Sequence, residues 1–553
     1  MKQRRIPAIM RRLLTLGVFV LLCACSKVSD QARQVAGGPN PWTVPGVLRI
    51  AQRQEPDTLN PIIGTQTVDT DLSMFWSGHL FNWSDRDEFV PELAAQVPTL
   101  ANGGISADGL RITYHLRKGV TWQDGAPFTA DDVIFSWRQV MNPNNNVPSQ
   151  LGYADVERID KIDDHTIVVH LKQRYAPFVD TFFTMANTAY GVIPEHLLGG
   201  LADINHAAYN NKPIGTGPYI VADYEKGAYI RFVANPHYWR GKPGLAEIDY
   251  RFIGNDNTAL TLLKTHEVDF YYRADASLAP DLRGIPGTAV ILSPFTRFTD
   301  LGFNAGNPIL ADVRVRKALA YGTNRAELIA KVTHGVSMPT NSDQPPYGWA
   351  YDPHVTTYPY DPGRARALLA EAGWLPGPDG IRRKDGAPLS LVIVGYTGAS
   401  VVTAAEEVIQ RQWQDLGVDV EIKNFPSDIL YAPKAAGGIE QNGKFDVAFE
   451  QWANGIDPDD SVLFKCDLAP PHGWNIYHFC SPTLDAAEDA ALVDYRQAQR
   501  KADYAVVQSV LTDRLPIFVL WFERDQHVIN TDFKNFRPSH NATPFWNTWE
   551  WQI

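Results

Sequence analysis

From residue 107 to 175 apolar side chains recur mostly at every second position. Leu110, Ile112, Tyr114 and Leu116 alternate with polar residues in LRITYHLRKG, and Ile167, Val169 and Leu171 do so in HTIVVHLKQ. A period of two predicts half-buried strands. Between them WQDGAPFTADDVIFSW (122–137) changes period: Gly125 and Pro127 break the chain after Asp124, and Val133, Ile134 and Trp137 follow at helical spacing. Thr129 is placed to cap that helix, with Asp132 reaching back from the third helical position. Asp131 adds a second carboxylate to the first turn, where the helix dipole favours it. Val47–Ala51 suits an earlier strand, closed by a turn at Pro56-Asp57.

The second half of the chain reads differently. LSLVIV (389–394) is a short apolar strand, and VDVEI (418–422) alternates. Between them Thr403-Ala404-Ala405-Glu406 reads as a capping box, Val408, Ile409, Trp413 and Leu416 share one helical face, and Gly417 ends the helix. This is a β-α-β unit, whose crossover requires parallel pairing. Asp361, Pro362 and Gly373 punctuate a further helix as cap, first helical residue and stop, and a helix pair runs through 313–335. A strand-rich first half is thus followed by an α/β second half, without an internal repeat.

With 553 residues and 44% hydrophobic content, the chain is long enough for two to four domains. The formal net charge is −12, which argues against a nucleic-acid partner. The start, MKQRRIPAIMRRLLTLGVFVLLCACSK, is basic and then apolar from Leu13 to Ala24, too short to span a bilayer comfortably. It reads as an export signal over 1–24. Leu22-Cys23-Ala24-Cys25 resembles a bacterial lipobox that would place a lipid on Cys25; an ordinary signal peptide is the alternative. Removing 1–24 takes away five basic residues and no acid, leaving −12 − 5 = −17. Residues 25–45 then form a polar Gly- and Pro-rich spacer, and no later apolar stretch approaches the ~20 residues of a membrane helix. The expected location is the cell envelope, periplasmic or extracytoplasmic, on a lipid anchor.

Asp124, Asp131 and Asp132 together suggest a carboxylate site, but each has a turn or cap role, and none has a His, Lys or second nucleophile nearby. Cys466 and Cys480, 14 residues apart, suit a disulfide in an oxidising compartment. The alternative is zinc, with His472 and His478 between them, at a spacing unlike structural zinc sites. No P-loop, Gly-x-Ser-x-Gly elbow or His-Glu-x-x-His occurs, and Gly215-Thr216-Gly217-Pro218 is not a dinucleotide fingerprint. No cofactor, catalytic residue or resident metal is expected.

TYHLRKGVTWQDGAPFTADDVIFSW resembles the signature of the extracellular solute-binding proteins of family 5, which serve dipeptide and oligopeptide ABC importers. The likeness continues in order through EPDTLNP, PELA, KPIGTGPY, ANPHYWRGKP, DVRVRKALAYGTNR, YPYDPGRARALLAEAGW and PFWNTWEW. It implies an α/β, periplasmic-binding-protein-like two-lobe hinge fold with an additional inserted lobe: lobe I from 46–70, 196–304 and 521–553, the inserted lobe at 71–195, and lobe II at 305–520. It also implies a non-enzymatic monomer that captures a peptide or peptide-like solute for ABC permease subunits and their ATPases. An oligosaccharide or metal chelate is the alternative ligand, and an envelope hydrolase the alternative class. By the same resemblance, Thr65, Gln66, Tyr396, Trp452, Ala453, Asn454 and Asp457 would touch ligand. The match frays at the two charged clamps for peptide ends. Asn454 stands where dipeptide binders carry the ammonium-binding Asp, or that residue is deleted, and Val394-Gly395-Tyr396 keeps only the Tyr of their Arg-x-Tyr. Asp457, Asp459 and Asp460 are candidate substitutes.

Overall fold

The computed structural model describes residues 38–185, 189–540 and 543–553. Cys25 and the leader lie outside the described residues. The strands predicted in the first half form as read. Strand β1 is Val47–Gln52, helix α1 Thr67–Trp76, β2 Arg111–His115 and α2 Ala130–Met141. Strands β3 (Val156–Asp163) and β4 (Thr166–Leu171) complete a three-stranded antiparallel sheet with β4 in the centre. Ile112, Tyr114, Ile167, Val169 and Leu171 point into one core with Trp122 and Phe135, as alternation demands.

Helix α2 begins at the predicted box: Thr129 is its cap, and the Thr129 backbone N–H donates to Asp132 Oδ2 at 2.9 Å. The other oxygen, Oδ1, accepts from Glu195 N at 3.0 Å. The remaining two acids correct the sequence reading, because tertiary folding brings them the basic partners that were not near in sequence. Asp124 meets His196 Nε2 at 2.8 Å and Asp131 meets Lys161 Nζ at 2.7 Å. These are partly exposed pairs tying neighbouring segments together, and such pairs contribute little stability.

The remainder is organised around one long sheet. Its strands are β5 (Tyr219–Glu225), β6 (Tyr229–Ala234), β7 (Glu247–Phe252), β8 (Phe270–Ala274) and β9 (Thr288–Phe303). Helices α3 (Val313–Tyr321), α4 (Arg325–Lys331) and α5 (Pro362–Glu371) follow. Asp361 caps α5 and Pro362 opens it, as predicted. Then come β10 (Ser390–Tyr396), α6 (Ser400–Gln414), β11 (Asp419–Phe425), β12 (Val447–Ala453), helices α7 (Pro482–Val493) and α8 (Gln497–Arg514), and β13 (Ile517–Asn530).

Strands β10 and β11 pair in parallel across α6, the predicted β-α-β unit. Its helix, however, starts three residues before the expected box, with Ala399 as cap and no side-chain capping bond. Thr403 therefore lies inside the helix with its backbone N–H donating to Ala399 O at 3.2 Å. Glu406 is fully buried and accepts from Asn424 Nδ2 of strand β11 at 2.6 Å. The capping pattern was present in the sequence, but a tertiary partner claimed the glutamate.

The sheet order is β11-β10-β12-β9-β13-β8-β1-β7-β6-β5. Strands β9 and β13 run antiparallel to each other, with a register shift between Pro294 and Phe298. Each gains its second neighbour at opposite ends: β12 pairs with β9 from Arg297 onward, and β8 pairs with β13 from Gln526 onward. Between those limits the sheet narrows to a two-stranded waist at 293–296 and 523–525. On one side of the waist Leu319, Leu369, Ile393, Ile409 and Trp413 fill a core, and on the other Leu48, Phe75, Trp76, Phe270 and Trp551 fill another. Trp42–Ile553 form one compact unit.

Candidate functional site

Beside the waist lies a cavity of about 370 Å³, of the size of small-molecule sites. Both halves of the sheet build it. Strand β8 contributes Arg273; the shifted stretch of β9 contributes Phe295 and Arg297; β10 and β12 supply Tyr396 and Gln451; β13 supplies Glu523, Arg524 and Asp525. The starts of two helices, Thr67 of α1 and Ala399–Val402 of α6, close the wall.

Two arginines dominate the geometry. Arg273 sits at a register shift in β8 with φ of 54°, a left-handed conformation uncommon for a side chain this large and found preferentially at ligand clamps and switches. Its guanidinium bridges Asp71 at 2.7 Å and Asp525 at 2.9 Å. Burial opposes its charge, yet Asp71 and Asp525 outweigh that and hold it above its ordinary value. Arg297 donates through Nε to Glu523 Oε2 at 2.6 Å; here too burial is outweighed by the neighbouring carboxylate. Both guanidiniums lie against the Phe295 ring, 5.2 and 4.9 Å from its centroid, within cation–π range.

A relay of neutral groups continues from Glu523. Gln451 Nε2 donates to Glu523 Oε1 at 2.7 Å, and Tyr396 OH donates to Gln451 Oε1 at 2.8 Å. Burial first, then the Glu523 charge, push the Tyr396 phenol up to about 12, so it stays a donor. Gly395 beside it must lack a side chain, since a Cβ there would lie 2.2 Å from Glu406 Oε1.

Of the seven ligand contacts expected from sequence, Tyr396 lies on the cavity wall. Thr65 is exposed and donates to Asp57 Oδ2 at 2.6 Å, while Gln66 N donates to Asp69 Oδ2 at 2.8 Å; their neighbour Thr67 reaches the cavity instead. Successive side chains of β12 alternate faces, so with Gln451 turned to the cavity, Trp452 packs on the far side against the core around Phe464 and Tyr504. Ala453, at the strand end, pairs with Arg297 across the ladder. Asn454 is buried and donates from Nδ2 to the Asp343 carbonyl at 3.0 Å.

Asp457 corrects the expectation of a substitute ammonium receptor. It is buried and bound to Arg500 at 2.7 Å, with side-chain exposures of 7% for the arginine and 0% for the aspartate. Asp460 is also fully buried. The wall residues that sequence reasoning passed over are Arg273, Arg297, Gln451 and the triplet Glu523-Arg524-Asp525. That triplet did carry a signal, three consecutive charges directly after the apolar run IFVLWF.

Cys466 and Cys480 are joined as a disulfide. His472 and His478 are both exposed, and among the described residues no group of three or more His, Cys, Asp or Glu is arranged to hold a metal ion. Nor, among them, is any helix long and apolar enough to cross a membrane.

Comparison with known proteins places this geometry. Residues 88–468 match the model of the bacterial extracellular solute-binding proteins, family 5 Middle. Di/tripeptide-binding protein 2 of Pseudomonas aeruginosa is 29% identical, covering 84% of this chain and 90% of that protein. Oligopeptide-binding protein AppA of Bacillus subtilis is 25% identical over 100% of both chains. Among solved structures, NikZ from Campylobacter jejuni in complex with Ni(L-His) superposes with a TM-score of 0.75 at 26% identity, covering 92% of this chain and 100% of that one.

Proposed function

This chain belongs to the bacterial extracellular solute-binding proteins of family 5, and on that premise we propose that it captures peptides outside the cytoplasmic membrane and delivers them to an ABC importer. The observation that carries the reading is the cavity at the waist, where residues from both halves of the sheet meet around paired charges. A sheet joined through two strands suits closure of two lobes on a ligand. We divide the chain into lobe I at 46–70, 196–304 and 521–553, an inserted lobe at 71–195, and lobe II at 305–520. The protein works as a lipid-anchored monomer, held through Cys25, and hands its cargo to permease subunits driven by their ATPases. It returns the cargo unchanged, as a carrier must.

A second reading has its own support: guanidiniums on the wall suit the carboxylate groups of a metal chelate, and the similarity to NikZ with Ni(L-His) reaches 26% identity. One thermal-shift panel separates the two, using dipeptides, longer peptides, oligosaccharides and nickel–histidine. A ligand at a hundredfold excess over its Kd stabilises by about 2.7 kcal/mol. Peptides are expected to raise Tm. Stabilisation by the chelate alone overturns the peptide reading, and labelled peptide recovered as cleaved product overturns the carrier reading.

A further inference from the structure

The inserted lobe is fastened to lobe I. Gln123 spans the two, donating from Nε2 to the Tyr219 carbonyl at 2.7 Å and accepting from Gly215 N at 3.1 Å. Arg240 of lobe I donates to the Pro91 carbonyl at 2.9 Å, and the Trp239 ring takes the guanidiniums of Arg117 and Arg240 at 4.1 and 4.3 Å from its centroid. These contacts make the inserted lobe travel with lobe I.

Helices α7 and α8 belong to the other body. Leu484, Ala491, Tyr504 and Leu511 pack in one core with Ala448 of β12 and Val519 of β13. The two-stranded waist is the joint between the bodies, so a rotation about it parts the inserted lobe from these helices.

The turn between α7 and α8 nevertheless reaches across that line. Ala176 N donates to the Leu492 carbonyl at 2.7 Å, and Tyr495 OH donates to the Gly109 carbonyl at 2.9 Å. Leu492 and Tyr495 also rest against the core of the inserted lobe. A glycine shapes the seat for the ring: Gly109 has φ of 71°, and a Cβ there would lie 2.8 Å from Tyr495 Cε2. Elsewhere along the seam, Asp180 of the inserted lobe lies beside Asp457 and within the field of Arg500. Next to the ring, a cavity of about 480 Å³ lined by Arg174, Val493 and Asp494 holds the two surfaces apart. Contact is thus concentrated at the tip of the turn. Each such hydrogen bond is worth about two- to tenfold in an equilibrium constant, enough to bias the lobes and little enough to let them part.

We propose that the α7–α8 turn is a latch: Tyr495, seated on Gly109, holds the lobes in their closed arrangement and so slows the release of ligand. This rests on the peptide-capture reading and the lobe division above. Tyr495 is not on the wall of the waist cavity, which makes it a positioning residue.

Stopped-flow kinetics with a fluorescently labelled tripeptide test the latch in the full chain. Release is expected to quicken about two- to tenfold in Tyr495→Phe, which keeps the ring and deletes the hydrogen bond. Tyr495→Ala, which deletes the ring as well, should quicken it further. Association should stay within about twofold in both, because such changes act mainly on dissociation. Release unchanged in both variants, whether or not Tm falls, marks a merely structural contact and overturns the latch. If no peptide binds even the unsubstituted protein, the capture reading fails by itself, and small-angle scattering then decides the latch. A larger radius of gyration in Tyr495→Ala upholds it, and an unchanged one overturns it.

Discussion

Two acid-rich stretches of this chain use the same chemistry to opposite ends. In Asp457-Pro458-Asp459-Asp460, Asp457 pairs with Arg500 at 2.7 Å with both side chains shut away from water. In Glu523-Arg524-Asp525, Glu523 pairs with Arg297 at 2.5 Å, but the arginine keeps more than a third of its surface open to the cavity. Both are arginine–carboxylate pairs, and burial alone separates them. A buried pair is committed to the fold, because removing either member strands a charge in a poor solvent. A pair with one open edge has donors left for a ligand.

The largest expected effect breaks that comparison most directly. Asp457→Ala leaves Arg500 buried without its counter-charge and should cost about 3–5 kcal/mol in denaturant unfolding. Glu523→Ala, at the more exposed pair, should cost about 1 kcal/mol or less. Equal losses would erase the distinction drawn here.

A third acid, Glu406, sharpens it by pairing with no cation among the described residues. The Asn424 amide donates to it, and burial pushes its carboxyl up to about 7. A raised carboxyl binds its proton more tightly folded than unfolded, so this contribution is full below the unfolded value near 4.3 and is lost as pH rises through about 7. Glu406→Gln, neutral at every pH, should therefore raise Tm by about 2 °C at pH 8 and leave it unchanged near pH 4. Thermal melts at the two values check the sign; a gain confined to the acidic side contradicts it.

The smallest effect lies at the open pair's outer edge. Tyr396→Phe deletes the donor to Gln451 and should weaken ligand binding about two- to tenfold, the net value of one hydrogen bond, with little change in Tm. A large stability loss with unchanged affinity would move Tyr396 to the structural side of the comparison.

Much of the fold was legible because its signals are local. Alternation in LRITYHLRKG and HTIVVHLKQ, the Thr129–Asp132 box and the Asp361-Pro362 start all report the periodicity and capping of a few adjacent residues, and each formed as read. The Thr403–Glu406 box misled for the same reason. A cap and its tertiary competitor look alike in one dimension, and Asn424, on the parallel neighbour strand, took the glutamate.

By itself the sequence determined the period of its strands and helices, the crossover at 389–422 and, through eight ordered motifs, the family. It determined these because hydrophobic spacing and turn chemistry are written in consecutive residues. Only the tertiary structure decided which charges meet solvent. Arg297 and Glu523 stand 226 residues apart and Arg500 and Asp457 stand 43 apart, and nothing in either segment's composition states how much water its partner sees. Burial is a property of what packs around a pair, so Asp457 is shut into the core with Arg500, while Glu523, Arg524 and Asp525 line the cavity.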